Sequence, residues 1–199
     1  MITLLRFRRL EEAVRLAGFS DNIDWTEQLA APVTAEDFAR AAIYVIANSG
    51  MKNSVAAPIY DRCIDVLEQA QDVRQVFGHP GKAQAMEAIW RARQELFDGY
   101  LSATDKIELC QSLPWVGPVT KFHLGRDLGA DVAKPDVHLE RLARRDQSSV
   151  ERMCRRLARK SGYRIGTVDI ILWRAREQRI LDSRRYEMHG WKTAFRPST

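Results

Sequence analysis

The 199 residues carry 31 Lys and Arg against 26 Asp and Glu, a formal net charge of +5, with 45% hydrophobic and 29% charged residues. That length suits one well-buried domain or two small lobes sharing an interface; it excludes two large independent domains, and the composition excludes a disordered chain. The charge is uneven: residues 1–112 hold 12 basic and 16 acidic side chains, net −4, and residues 113–199 hold 19 and 10, net +9. A basic second half suits a polyanionic partner such as nucleic acid, or else a solvated arginine face.

Cys63, Cys110 and Cys154 are widely separated, with no paired spacing. They support neither a disulfide framework nor a zinc or iron–sulfur ligand set, so no metal and no cofactor are expected. The segment MITLLRFRRL is broken by Arg6, Arg8 and Arg9 before it reaches the apolar run of a signal peptide. No stretch approaches the ~20 apolar residues of a membrane span. The expectation is a cytoplasmic, monomeric protein with reduced core thiols.

Helical periodicity dominates and no long segment alternates as a strand does, which predicts an all-α chain. A first helix is expected over about Arg8–Ala17, ended by Gly18, and a second over Ser20–Ala31, closed by Pro32. Thr34 caps the clearest helix of this half: Phe38, Ala41, Ala42, Val45 and Ile46 share one face, and Asp37 holds the reciprocal capping position. After an elbow at Asn48-Ser49-Gly50-Met51, the next helix turns Val55, Ile59, Cys63, Val66 and Leu67 inward, with Pro58 tolerable only near its first turn. Gly78-His79-Pro80-Gly81 is a breaker. A helix through Met86, Ile89, Trp90, Arg93 and Phe97 runs to about Asp98, and another from about Ala103 turns Ile107, Cys110 and Leu113 inward. Later, Val150, Met153, Cys154, Leu157 and Ala158 form an apolar stripe opposite Arg152, Arg155, Arg156, Arg159 and Lys160. Thr167 is expected to cap a last helix carrying Val168, Ile171, Leu172 and Ala175, and the tail from Asp182 to be ordered by docking.

Between these halves lies Ser112–Arg145, SLPWVGPVTKFHLGRDLGADVAKPDVHLERLARR. It reads as a turn built on Pro114, Gly117 and Pro118, a short helix, a break through Gly129 and Pro135, and a helix opened by Asp136. The turn presents N–H groups that lack helical partners, a setting that favours an anion such as a phosphodiester oxygen, although a plain corner between helices has the same pattern. Pro118 suits the first helical position. Asp136 suits an N-cap.

These residues resemble a known family. Leu113-Pro114-Trp115-Val116-Gly117-Pro118-Val119-Thr120, then Leu128-Gly129, then Pro135-Asp136-Val137-His138-Leu139-Glu140-Arg141-Leu142, looks like the helix-hairpin-helix Gly/Pro-Asp superfamily of base-excision DNA glycosylases. The match covers about residues 103–145. The resemblance implies a single two-lobed helical DNA-repair enzyme with an interlobe cleft, a hairpin lobe of about residues 34–145 and a second lobe of about 1–33 plus 146–199. It implies double-stranded DNA as partner, with a damaged or modified base flipped out of the duplex.

Within that resemblance, Asp136 is the catalytic carboxylate, facing the sugar and orienting water. Trp115, Val116, Gly117, Val119, Thr120 and Lys121 form the DNA-backbone clamp. Some members place a lysine nucleophile two residues after the hairpin Gly; here that residue is Val119. Lys121 lies roughly 200° of helical rotation further round, and Lys134 is the one displaced amine to consider. A monofunctional, water-using enzyme is therefore expected, with a bifunctional glycosylase/lyase and a non-catalytic DNA-binding module as alternatives. Trp115 stands where the family often has Gly, either stacking on DNA or packing under the hairpin. Asn48 or Met51 is the residue that fills the gap left by the flipped base, or else a plain helix end and anchor. Tyr44, Trp25 and Trp173 are base-pocket candidates or core aromatics, His138 supports local structure, and Arg126, Lys134, Arg144 and Arg145 are phosphate contacts.

Overall fold

The structure is a computed structural model that describes residues 1–196; among them helices make up the fold and no strand forms, the only ladder contact being an isolated bridge between Leu181 and Phe195. The chain divides into two compact units, Met1–Leu29 with the chain from Ala130 onward, and Ala30–Gly129.

The first unit opens with α1 (Leu4–Val14). It begins earlier than the apolar pattern alone implies, because Thr3 Oγ1 accepts the Arg6 N–H and fixes its first turn. Phe7, Leu10 and Val14 are buried along one face. A π-helical turn, Arg15–Phe19, follows, with Gly18 at φ +89°, so the expected stop at Gly18 is a kink running directly into α2 (Ser20–Glu27).

The second unit contains six α-helices, α3 (Ala35–Asn48), α4 (Asn53–Glu68), α5 (Pro80–Arg91), α6 (Arg93–Ser102), α7 (Lys106–Ser112) and α8 (Thr120–Asp127), and a 3-10 turn at Val73–Gln75. Thr34 Oγ1 accepts the Asp37 N–H as expected, but Asp37 answers through its carboxylate on the Thr34 hydroxyl, at 2.7 Å. Phe38, Ala42, Val45 and Ile46 are buried, and α3 packs against α4, α5 and α6 at the centre of the unit's core. Pro58 lies in the second turn of α4, and Val55 is 51% exposed rather than inward. His79 Nδ1 caps α5, with Pro80 at its first position. The helix expected to run on to Asp98 is two helices, because Ala92 leaves helical geometry at φ −93°, ψ 14°; Arg93 donates back to the Trp90 carbonyl at 2.7 Å across the break.

The first unit resumes with α9 (Val137–Arg145), α10 (Val150–Ser161), α11 (Ile165–Glu177), α12 (Ser183–His189) and α13 (Trp191–Ala194). The α10 stripe is buried as its spacing predicts, and Gly162 ends the helix in left-handed geometry. Thr167 does not cap α11; it is buried inside the helix and its hydroxyl donates to Glu27 Oε2 at 2.5 Å. The chain after Asp182 docks through buried Tyr186, whose hydroxyl donates to Asp146 Oδ1 at 2.7 Å, while Asp146 Oδ2 accepts the Ile2 N–H at 2.8 Å. Asp146 thereby ties the end of α9 to the segments before α1 and within α12.

The unit boundary falls after Gly129, not near residue 145. α9 packs on α10, α11 and α12, so the helix opened by Asp136 belongs with the chain termini and not with the hairpin.

Candidate functional site

The hairpin of the second unit joins α7 to α8. Leu113 and Val116 are buried and close a tight turn through the Val116 N–H to Leu113 O bond at 3.1 Å. Gly117 O accepts the Lys121 N–H at 3.0 Å, which makes Pro118 the first helical position in hydrogen-bonding terms. The Gly117 N–H is donated to Thr120 Oγ1 at 2.7 Å and Pro118 has none. The first-turn donors to which the helical pattern assigns no acceptor are therefore those of Val119 and Thr120.

Positive φ occurs at Trp115 (+67°), not at Gly117. Left-handed geometry costs a non-glycine residue about 1–2 kcal/mol, and packing holds it there. The indole lies edge-to-face with His79 at 5.0 Å, and a Cβ on Gly81 would come within 2.7 Å of its Cζ3. Trp115 thus packs on the start of α5 while remaining 47% exposed. Lys121 pairs with Glu108 of α7 and is not turned outward beside exposed Val119. Arg126, expected at a phosphate, is buried, its guanidinium 3.2 Å from Asp127 Oδ1.

At the elbow between α3 and α4, Gly50 adopts φ +72°. Asn48 Nδ2 donates to Tyr44 O at 3.3 Å, and Met51 packs against the core. Lys82, which no local pattern marks, is buried and donates Nζ to Ser49 O at 2.6 Å and Ala47 O at 3.2 Å. Burial lowers its pKa, and the ammonium closes the carbonyl end of α3. Tyr44 donates to Asn53 Oδ1 at 2.7 Å and meets Tyr60 and His123 edge-on at 5.4 and 6.5 Å; His123 in turn lies 3.4 Å from Asp127. Tyr60 and His123 converge on Tyr44 from two other helices, so no local spacing marks them.

In the first unit, Asp136 is the N-cap of α9. Its Oδ1 accepts the N–H groups of His138 and Leu139 at 2.8 and 2.9 Å, and its own N–H donates to Lys134 O at 2.8 Å. Both carboxylate bonds fall on one oxygen, so Oδ2 has no hydrogen-bond partner among the described residues. Half-buried and clamped at both backbone and side chain, this is a rigid carboxylate with one oxygen available for chemistry. The Lys134 N–H donates to Asp169 Oδ2 at 2.9 Å, anchoring the approach to Asp136 on α11. Arg144 is exposed and lies 3.1 Å from Glu187; Arg145 is exposed beside Gly190. Trp25 is 52% exposed, and Trp173 is half-buried against the core.

His138 Nδ1 lies 3.1 Å from Ser183 Oγ and 3.4 Å from Arg141 Nη1. Burial, then the charges of Arg176, Arg141 and Arg184, depress its pKa below 6.5 against the opposing pull of Asp136. The folded state favours neutral imidazole, so this contribution to stability is complete above pH 6.5 and is lost as pH falls through the folded value. His138→Gln is expected to flatten the decline of the melting temperature below pH 6.5; an unchanged decline would assign it to other groups.

The three cysteines are buried free thiols, with burial raising Cys63 to about 11 and Cys110 to about 12. No group of three or more His, Cys, Asp or Glu among the described residues is placed to hold a metal, and no described helix is long and apolar enough to cross a membrane.

No protein-family model and no curated protein sequence matches the chain. A solved structure does: the Methanocaldococcus jannaschii 8-oxoguanine glycosylase/lyase in complex with 15mer DNA containing 8-oxoguanine superposes with a TM-score of 0.65 over 89% of this chain and 100% of that one, at 17% identity. The chain has the fold of a DNA glycosylase. The glycosylase fold accounts for the all-helical architecture, and at this identity the likeness carries the fold alone.

Proposed function

We propose that the protein is a monofunctional DNA glycosylase that removes a damaged or modified base flipped out of double-stranded DNA. The carrying observation is Asp136, a carboxylate held by two backbone N–H groups on Oδ1 with Oδ2 unengaged. As the C1′–N bond breaks, its electron pair leaves with the base, which takes up a proton, and positive charge builds on the sugar. A fixed, partly desolvated carboxylate opposes that charge more effectively than water does. Asp136 then takes a proton from the water whose oxygen bonds to C1′. The Val119 and Thr120 N–H groups and the exposed face of Trp115 are the hairpin's means of holding the DNA backbone.

A second reading is favoured by the M. jannaschii structure, which is described as a glycosylase/lyase. A lyase step needs an amine that attacks C1′. Val119 occupies the place of the superfamily's lysine, and Lys121 pairs with Glu108, which supports water as nucleophile. The test uses oligonucleotides bearing 8-oxoguanine, alkylated purines, mismatched pyrimidines or enzymatically modified bases, each with and without borohydride. Free base without a trapped protein–DNA adduct is the expected result. A trapped adduct that Lys134→Gln abolishes would replace it with the lyase reading. No base released from any lesion would leave a DNA-binding module.

A further inference from the structure

We infer that the first unit carries a separate single-strand nucleic-acid groove between the start of α1 and the end of the described chain. The groove has a volume of about 550 Å³ and is lined by Thr3, Leu5, Arg6, Arg9, Trp191, Lys192 and Phe195, with no carboxylate. Trp191 and Phe195 stack at 4.8 Å with their planes 13° apart, and the Arg6 guanidinium lies 5.4 Å over the Trp191 ring. One indole therefore carries a cation and a second aromatic plane against its faces, and the Arg6 guanidinium also donates to Met1 O at 2.6 Å. The side chains of Arg9 and Lys192 are exposed and have no ion-pair or hydrogen-bond partner among the described residues.

Stacked rings beside unpaired cations are the chemistry that holds a single strand: bases stack on aromatic faces while cations track the phosphates. The groove is distinct from the candidate catalytic carboxylate. Gly190, which precedes Trp191, lies against Arg145 at the last residue of α9. Asp136 caps the opposite end of that nine-residue helix, roughly 13 Å away at 1.5 Å per residue. A strand in the groove is thus an unpaired flank, outside the nucleotide undergoing chemistry.

This inference rests on the DNA-acting reading, and its test separates the two. Binding of a fluorescein-labelled 15-nucleotide single strand is followed by anisotropy across a salt series for the wild type, Arg9→Glu/Lys192→Glu and Trp191→Ala. The charge-reversal variant is expected to lose at least tenfold in affinity, and the magnitude of its log–log salt slope to fall by about 1.4, from two contacts at about 0.7 each. Trp191→Ala is expected to weaken binding with a smaller change in slope. Unchanged affinity and slope in the charge-reversal variant, with a wild-type circular dichroism melt, would overturn the groove while leaving the DNA-acting reading standing. Charge reversal that abolishes binding to phosphatidylserine vesicles and leaves DNA binding intact would overturn it in favour of a lipid surface. A wild type that binds neither single-stranded nor duplex DNA would remove both.

Discussion

Replacing Asp136 with Asn is expected to reduce base release by about 10³-fold, equivalent to about 4 kcal/mol of transition-state stabilisation, while leaving the fold and DNA affinity in place. Asn is as good an N-cap as Asp, and its Oδ1 can accept the His138 and Leu139 N–H groups now held by the carboxylate. The amide removes the negative charge and the basic oxygen alone. A melting temperature within about 2 °C of wild type and an unchanged dissociation constant for undamaged duplex would accompany the loss. Asp136→Ala removes the cap as well and is expected to cost about 1 kcal/mol of stability besides activity. An Asn variant that retains a tenth or more of the wild-type rate would show that the carboxylate is a cap and that the chemistry lies elsewhere.

Gly129→Ala is expected to be the most damaging single-methyl change to stability. Gly129 sits at φ +86°, and a Cβ there would lie 2.6 Å from Ala30 C and Ala31 N. Left-handed strain of about 1–2 kcal/mol adds to a backbone collision that no side-chain rotation relieves. A loss of about 3 kcal/mol, or about 6–12 °C in melting temperature, follows for a chain of this size. Gly162→Ala is the control: its φ is +84°, but nothing lies within 4 Å of the new methyl, so only the strain remains. Equal destabilisation by the two changes would show that the close approach at Ala30 and Ala31 carries no weight.

Where one helix buries one stripe, the sequence was legible. The α3 and α10 faces, the Thr34 cap and the Asp136 cap each depend on residues within a turn or two of one another, so spacing alone marks them. Departures arise where a partner distant in sequence decides the outcome. Lys121 looks like a free cation until α7 supplies Glu108, and Arg126 until the packing of α8 buries it. Thr167 has the chemistry of a cap, yet Glu27 claims its hydroxyl. The break at Ala92 has no glycine or proline to announce it. Placing α9 in the hairpin lobe followed the chain from Gly117 to Asp136; its apolar face, Leu139, Leu142 and Ala143, packs instead in the core of the first unit.

The close approach of Gly129 to Ala30 and Ala31 also bears on how the chain reaches its native state. The first unit is assembled from segments separated by the whole of Ala30–Gly129, and α1 packs on α11, so its core waits for a loop of about a hundred residues to close. Once the intervening unit has folded, its first and last residues touch, and for the rest of the polypeptide that loop is effectively only a few residues long. The entropic saving, roughly 2–3 kcal/mol by the logarithmic dependence on loop length, favours closing the remaining core after the inserted helices have folded over the reverse order.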